Sequence, residues 1–127
     1  MRQVIEMLVK IKNAQAVKKE TVGTPYSNFN FNIAKILEQE GFIEEVKKRG
    51  RNKKRIIIRL KYENKTPKIH GIKTISKPGR RIYFKKNKLY LPKAGHGILI
   101  ISTPKGILTS KEAKKNNTGG EVICEVW

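Results

Sequence analysis

The chain has one cysteine, two histidines and one tryptophan in 127 residues. Cys124 alone cannot close an internal disulfide. With only His70 and His96 beside it, the donor set is too sparse for a Cys-rich zinc site. Acidic residues are also scarce: 10 Asp and Glu stand against 29 Lys and Arg, a formal charge of +19. No apolar run approaches the roughly 18 residues of a membrane span. The opening Met1-Arg2-Gln3-Val4-Ile5-Glu6 lacks the apolar stretch and small-residue cleavage site of a signal peptide. These shortages lead to the expectation of a reduced, intracellular, soluble protein with no cofactor, metal or small-molecule substrate.

What is present is positive charge on a foldable chain. Hydrophobic residues make up 38% and are spread along the whole length, enough for one compact domain or two small lobes. A charge of +19 asks for a polyanion, with nucleic acid first and an anionic membrane surface second.

Periodicity gives the elements. Val4, Leu8 and Ile11, broadened by Ile5 and Val9, predict a first helix. Thr21 to Pro25 breaks it and suits a short extended stretch. Ser27 is placed to cap a second helix with Phe29, Ile33, Ile36 and Leu37 on one face. Gly41 stands where a left-handed C-terminal cap belongs, with Phe42 folding back on the last turn. Phe42 to Lys48 and Arg55 to Lys61 read as a hairpin turning at Arg49-Gly50-Arg51-Asn52. Glu63 to Lys68, with Pro67, reads as a linker, so the expected lobes are 1–65 and 66–127. Beyond it, Ile69 to Ser76 and Arg81 to Phe84 read as strands about a Lys77-Pro78-Gly79-Arg80 turn. The apolar run Gly97 to Ser102 reads as a buried strand. Thr109 with Glu112 is a capping box opening a short helix that ends near Asn116-Asn117, and Glu121 to Trp127 is a last strand.

The charge falls in two clusters. Lys47 to Lys61 holds nine Lys and Arg, including Lys53, Lys54 and Arg55; Lys77 to Lys88 holds six, including Arg80 and Arg81. Both lie on turns and strand ends flanked by apolar runs. The strands can pack while the cations project at fixed spacing along phosphates. Tyr83 sits among these cations, where a ring can stack on a base or ribose. The residues alone favour a ring filling the core, and strand alternation turns only one of Tyr83 and Phe84 outward. Ser102-Thr103-Pro104-Lys105-Gly106 offers two hydroxyls, a fixed bend and a lysine at a strand end, and equally reads as an ordinary turn. Catalytic groupings are weak. His96 between Gly95 and Gly97 has no acid or nucleophile near it in sequence, Glu44 and Glu45 point to opposite faces of a strand, and Lys105-Gly106 lacks the spacing of a phosphate loop. The chain does not read as an enzyme.

Gly97-Ile98-Leu99-Ile100-Ile101-Ser102-Thr103-Pro104-Lys105-Gly106-Ile107-Leu108, followed by Ala113-Lys114, closely resembles the signature of the small-subunit ribosomal protein S8 family. Ser76 to Tyr83, Gly119 to Cys124, Met7 to Ala14 and Glu40 to Ile43 resemble further hallmarks of that family, in the right order from about residue 4 to the end. The length and the ending are similar to bacterial or organellar members. The resemblance implies an α+β fold of two small lobes. One is an N-terminal helix-strand-helix-strand-strand lobe; the other is a C-terminal, mainly antiparallel lobe with a short helix. It implies a structural constituent of the small ribosomal subunit, in the cytoplasmic ribosome or that of an organelle. The expected partners are the central domain of small-subunit rRNA and neighbouring ribosomal proteins, with no membrane. It carries RNA contact onto Ser102, Thr103, Tyr83 and Gly119-Gly120-Glu121. Lys105, Arg80, Arg81, Lys53, Lys54 and Arg55 join them on charge. Two departures stand out: Pro104 replaces a third hydroxyl residue common in bacterial relatives, and Asn28 and Asn30 stand where relatives often carry a basic residue.

Charge alone leaves three rivals. A DNA-architectural protein would need a helix-turn-helix, basic arm or intercalating wedge. An RNA-acting enzyme would need acids or histidines converging on His96. A membrane-surface role would need a strongly basic amphipathic helix.

Overall fold

Two helices open the chain because apolar side chains return every third or fourth residue. The computed structural model describes residues 2–90, 92 and 95–127. Helix α1 (Arg2–Ala16) buries Val4, Met7, Leu8, Ile11 and Ala14. Met7 takes the place the periodicity gave to Val9, which is 47% exposed. Helix α2 (Asn28–Gln39) starts at Ser27, whose hydroxyl accepts from the Asn30 amide, and buries Ile33, Ala34, Ile36 and Leu37. It ends as expected at Gly41, φ +81°, with Gly41 N–H donating to Glu38 and Phe42 N–H to Leu37.

The chain divides into two compact units, Gln3–His70 and a second built on Gly71–Trp127. In the first, β1 (Thr21–Pro25), β2 (Ile43–Arg49) and β3 (Arg55–Leu60) form an antiparallel sheet in the order β1-β3-β2. Alternation sends Ile56, Ile58 and Leu60 to the core face with Val46 and Thr24. The segment expected as a linker is instead a tight hairpin. Strand β4 (Tyr62–Glu63) pairs with β5 (Thr66–Pro67), and Asn64 and Lys65 both take positive φ in the turn. Tyr62 fastens it by donating to the Lys19 carbonyl at 2.6 Å.

In the second unit, β6 (Ile72–Thr74), β10 (Gly120–Val126), β8 (Ile98–Thr103) and β9 (Gly106–Thr109) form an antiparallel sheet in the order β6-β10-β8-β9. Strand β7 (Tyr83–Phe84) also pairs with β10. Strand β9 was not expected; Pro104 and Lys105 are the turn of a β8–β9 hairpin. The capping box forms as read, with Thr109 and Glu112 bonding reciprocally at the start of α3 (Ser110–Lys115). Asn117, φ 57°, closes that helix in the left-handed conformation. Leu89, Leu99, Ile101, Ala113 and Val122 form the core, with Ile75, Phe84 and Leu108 packed against it.

Candidate nucleic-acid interface

Strand β10 brings the site together because it has partners on both edges. Glu121 lies opposite Tyr83 on β7 and opposite Ser102 on β8, and Gly120 lies opposite Phe84. Three segments far apart in sequence therefore meet at the start of one strand. They line an open groove of about 690 Å³ with Tyr83, Ser102, Thr103, Gly119, Gly120 and Glu121 on its surface.

Each side chain is positioned by a local cause. Phe84 turns into the core, so alternation puts Tyr83 outside, 66% exposed. The residues alone favoured the opposite. Ser76 holds this strand by bonding both the amide and the carbonyl of Ile82. The two glycines leave no side chain where backbones crowd: a Cβ on Gly119 would stand 2.3 Å from the Phe84 oxygen. Ser102 makes no hydrogen bond with its hydroxyl among the described residues and stays half-buried at the rim. Thr103 differs. Its hydroxyl donates to the Gly106 carbonyl at 2.8 Å and accepts from the Lys105 amide at 3.0 Å, so it closes the β8–β9 turn.

Glu121 is mostly buried, with 12% of its side chain exposed. Arg81 Nη1 lies 3.8 Å from its Oε1, a charge contact beyond hydrogen-bond length. Its Oε2 is buried without a partner among the described residues. That oxygen is covered, so a ligand's amino or hydroxyl group reaches it only when the Glu121 side chain shifts.

Not all expected residues gather here. Lys105 donates to the Asn116 carbonyl at 2.8 Å, capping the C-terminal end of α3, and does not line the groove. Arg80 is exposed in the turn that closes on Lys77. Lys53, Lys54 and Arg55 belong to the other unit, at the β2–β3 turn, where they are exposed. Lys85, Lys86, Asn117 and Thr118 line the groove although they were not singled out. Lys86 is held by Asn117 Oδ1 at 2.5 Å. For the two lysines the signal in the sequence was membership of the second basic cluster, and the missing information was which cations the fold turns toward the hydroxyls. Asn30 is buried and donates to the Gln3 carbonyl at 3.2 Å, so it ties α2 to α1.

Fold and groove define a small, strongly basic α+β protein whose antiparallel sheet carries an open groove with an exposed ring, a free hydroxyl and a lysine rim. The family model described as ribosomal protein S8 matches residues 3–127, and the chain belongs to that family. It is 49% identical to the small ribosomal subunit protein uS8 of Kosmotoga olearia, over 98% of this chain and 96% of that protein. The proteins of the same name from Mycoplasmopsis pulmonis and Mycoplasmopsis synoviae are 45% and 43% identical. They cover 98% and 96% of this chain, and 95% and 94% of their own lengths.

Proposed function

We propose that this chain is a structural constituent of the small ribosomal subunit that binds its rRNA directly, through the groove at the start of β10, and supports folding of the central domain. The observation that carries the reading is the meeting of Tyr83, Ser102 and Glu121 in one groove. Each offers a different chemistry. The Tyr83 ring presents a face for a splayed base or ribose. Ser102 offers a donor and an acceptor, and Glu121 an acceptor that rejects phosphate and accepts amino groups or 2′-hydroxyls. Gly119 and Gly120 let RNA approach the backbone closely.

This set fits irregular RNA for a geometric reason. The major groove of regular RNA is too deep and narrow for side chains, so readers use shallow minor grooves and exposed bases. Lys85 and Lys86 at the rim, with Lys53, Lys54 and Arg55 on the other unit, add phosphate attraction without sequence information.

The test is binding to an excised helix of the central domain, against a scrambled RNA and duplex DNA. Tyr83→Ala and Ser102→Ala are expected to weaken the cognate helix and barely change the others. Replacing Lys53, Lys54 and Arg55 with Ala is expected to weaken all three about equally. Equal affinity of the parent for duplex DNA and the cognate helix would return the reading to a general DNA-architectural protein.

A further inference from the structure

Glu125 puts a carboxylate where the sheet of the second unit otherwise buries apolar side chains. It lies opposite Leu99 on β8, and residues opposite each other in an antiparallel pair project to one face. Leu99 belongs to the core with Ile101 and Val122, and Glu125 is itself only 9% exposed. A buried charge is costly unless it is paired or hydrogen-bonded. On β6 its opposite number is Lys73, which is exposed. From the other side the Tyr90 hydroxyl donates to the Glu125 carboxylate. Burial, the Glu125 charge and that hydrogen bond together hold the Tyr90 hydroxyl above its ordinary value.

Tyr90 ends a strap that begins at β7. The chain leaves Phe84, makes one short 3-10 turn (Lys86–Lys88) and reaches the buried Leu89. Lys88 N–H closes the turn on the Lys85 carbonyl at 2.9 Å. The Tyr90 ring returns to Phe84, with ring centroids 6.3 Å apart and planes tilted by 50°. Tyr90 therefore joins Glu125, near the end of β10, to Phe84, which pairs with Gly120 at its start. The front of the strap is pinned as well, where the Ser76 hydroxyl bonds both polar groups of the Ile82 backbone. Between the two pins stand Tyr83, Lys85 and Lys86, which line the groove, whereas Tyr90 and Glu125 do not.

We propose that Tyr90 and Glu125 are positioning residues for the RNA groove. Their bond anchors the rear of the strap and, through Phe84 and Leu89, sets where Tyr83, Lys85 and Lys86 stand before a ligand arrives. A wall fixed in advance loses less freedom on binding. The bond therefore acts on affinity for the RNA that fits the groove, and not on general attraction to phosphate. The proposal rests on the reading of the groove as the RNA site. The competing assignment is a bond that only stabilises the unit.

The test uses the full chain well below its melting temperature. Tyr90→Phe removes the hydroxyl and keeps the ring on Phe84. It is expected to weaken the cognate helix about fivefold, the scale of one hydrogen bond, and to leave a scrambled RNA unchanged. Amide hydrogen exchange at residues 84–88 should quicken about tenfold, while β8 and β9 keep the parent's rates. Glu125→Gln keeps an acceptor for the hydroxyl and should bind like the parent. Glu125→Leu removes both acceptor and buried charge. It should melt no lower than the parent, since an apolar residue suits that face, and yet repeat the loss of cognate binding. Combined with Tyr90→Phe it should lose no more than either change alone. A bond that only stabilises would make binding follow the melting temperature across these variants, and that result overturns the proposal. So does normal cognate binding by Tyr90→Phe and Glu125→Leu, an equal loss on scrambled RNA, or faster exchange spread evenly over the unit. Ser102→Ala, run in parallel, bears on the groove alone. If it binds normally the groove reading fails, and exchange then decides the anchor by itself: quickening confined to residues 84–88 upholds it, and unchanged rates there overturn it.

Discussion

Gly120 lies directly against the backbone of Ser102: a Cβ atom on it would stand 2.1 Å from the Ser102 carbonyl oxygen. No real Cβ tolerates that distance, so β8 and β10 can approach there only because the residue is glycine. Gly120→Ala must push the strands apart at the groove floor. The expected cost is about 2–3 kcal/mol, in the range of overpacked sites, with loss of cognate RNA binding. Gly79→Ala is the control, since nothing lies within 4 Å of its added Cβ. It should stay within about 0.5 kcal/mol of the parent. Denaturant titration of both variants decides the matter, and a Gly120→Ala protein as stable as the parent would refute it.

The two hydroxyls of the β8 end have different duties. Ser102 is free to bond a ligand, whereas Thr103 already bonds Gly106 and Lys105. Ser102→Ala is therefore expected to leave the melting temperature unchanged and weaken the cognate RNA by about 1–2 kcal/mol, one bond at a desolvated contact. Thr103→Val should lower stability by about 1–2 kcal/mol, because it strips the turn of a donor and an acceptor. Thermal melts beside binding isotherms separate the two. A Thr103→Val protein that melts normally but fails to bind would transfer the recognition role to Thr103.

Salt gives a third expectation. The rim lysines and the β2–β3 turn supply cations for roughly five to eight phosphates, so log affinity should fall with log salt at a slope of about −4 to −7. Affinity measured across a salt series checks this. A nearly flat line would mean that hydroxyls and stacking carry the complex without the +19 charge.

Chain features with strong local chemistry were legible before any fold was in view. Ser27, Gly41 and the Thr109–Glu112 box announce helix ends because their side chains or missing Cβ act on adjacent backbone. The alternation of Arg55 to Leu60 shows a half-buried strand. What escaped was set by partners distant in sequence. Strands β4 and β5 are two residues each, too short to show a period, and Pro67 argued against pairing. Strand β9 exists because β8 offers it an edge. Tyr83 could not be oriented until the packing of Phe84 chose the parity. The groove itself depends on register: Glu121 meets both Tyr83 and Ser102 only because β10 has two neighbours. The resemblance to the S8 family named these residues without saying why they stand together.

Cys124 is fully buried in β10, and burial pushes its thiol from an ordinary value of 9.0 up to about 12. Removing a thiolate from water is unfavourable, so the native state keeps the proton that the unfolded chain gives up. The sign follows from linkage. The group's contribution to stability is complete below pH 9, and it is lost as pH rises toward about 12. Lysines and tyrosines titrate over the same range, so the parent must be compared with Cys124→Ala. That variant loses a small, pH-independent packing contribution of about 1 kcal/mol. The difference in unfolding free energy, parent minus variant, should be constant up to about pH 8. Above pH 9 it should fall by about 1.4 kcal/mol per pH unit, the value of one proton's linkage. Thiol alkylation at pH 8 gives an independent reading: labelling should be negligible in the native protein and rapid in denaturant. A parent-minus-variant difference that stays level from pH 8 to pH 11, together with rapid native labelling, would show that the thiol is open to water and that β10 is looser than its packing implies.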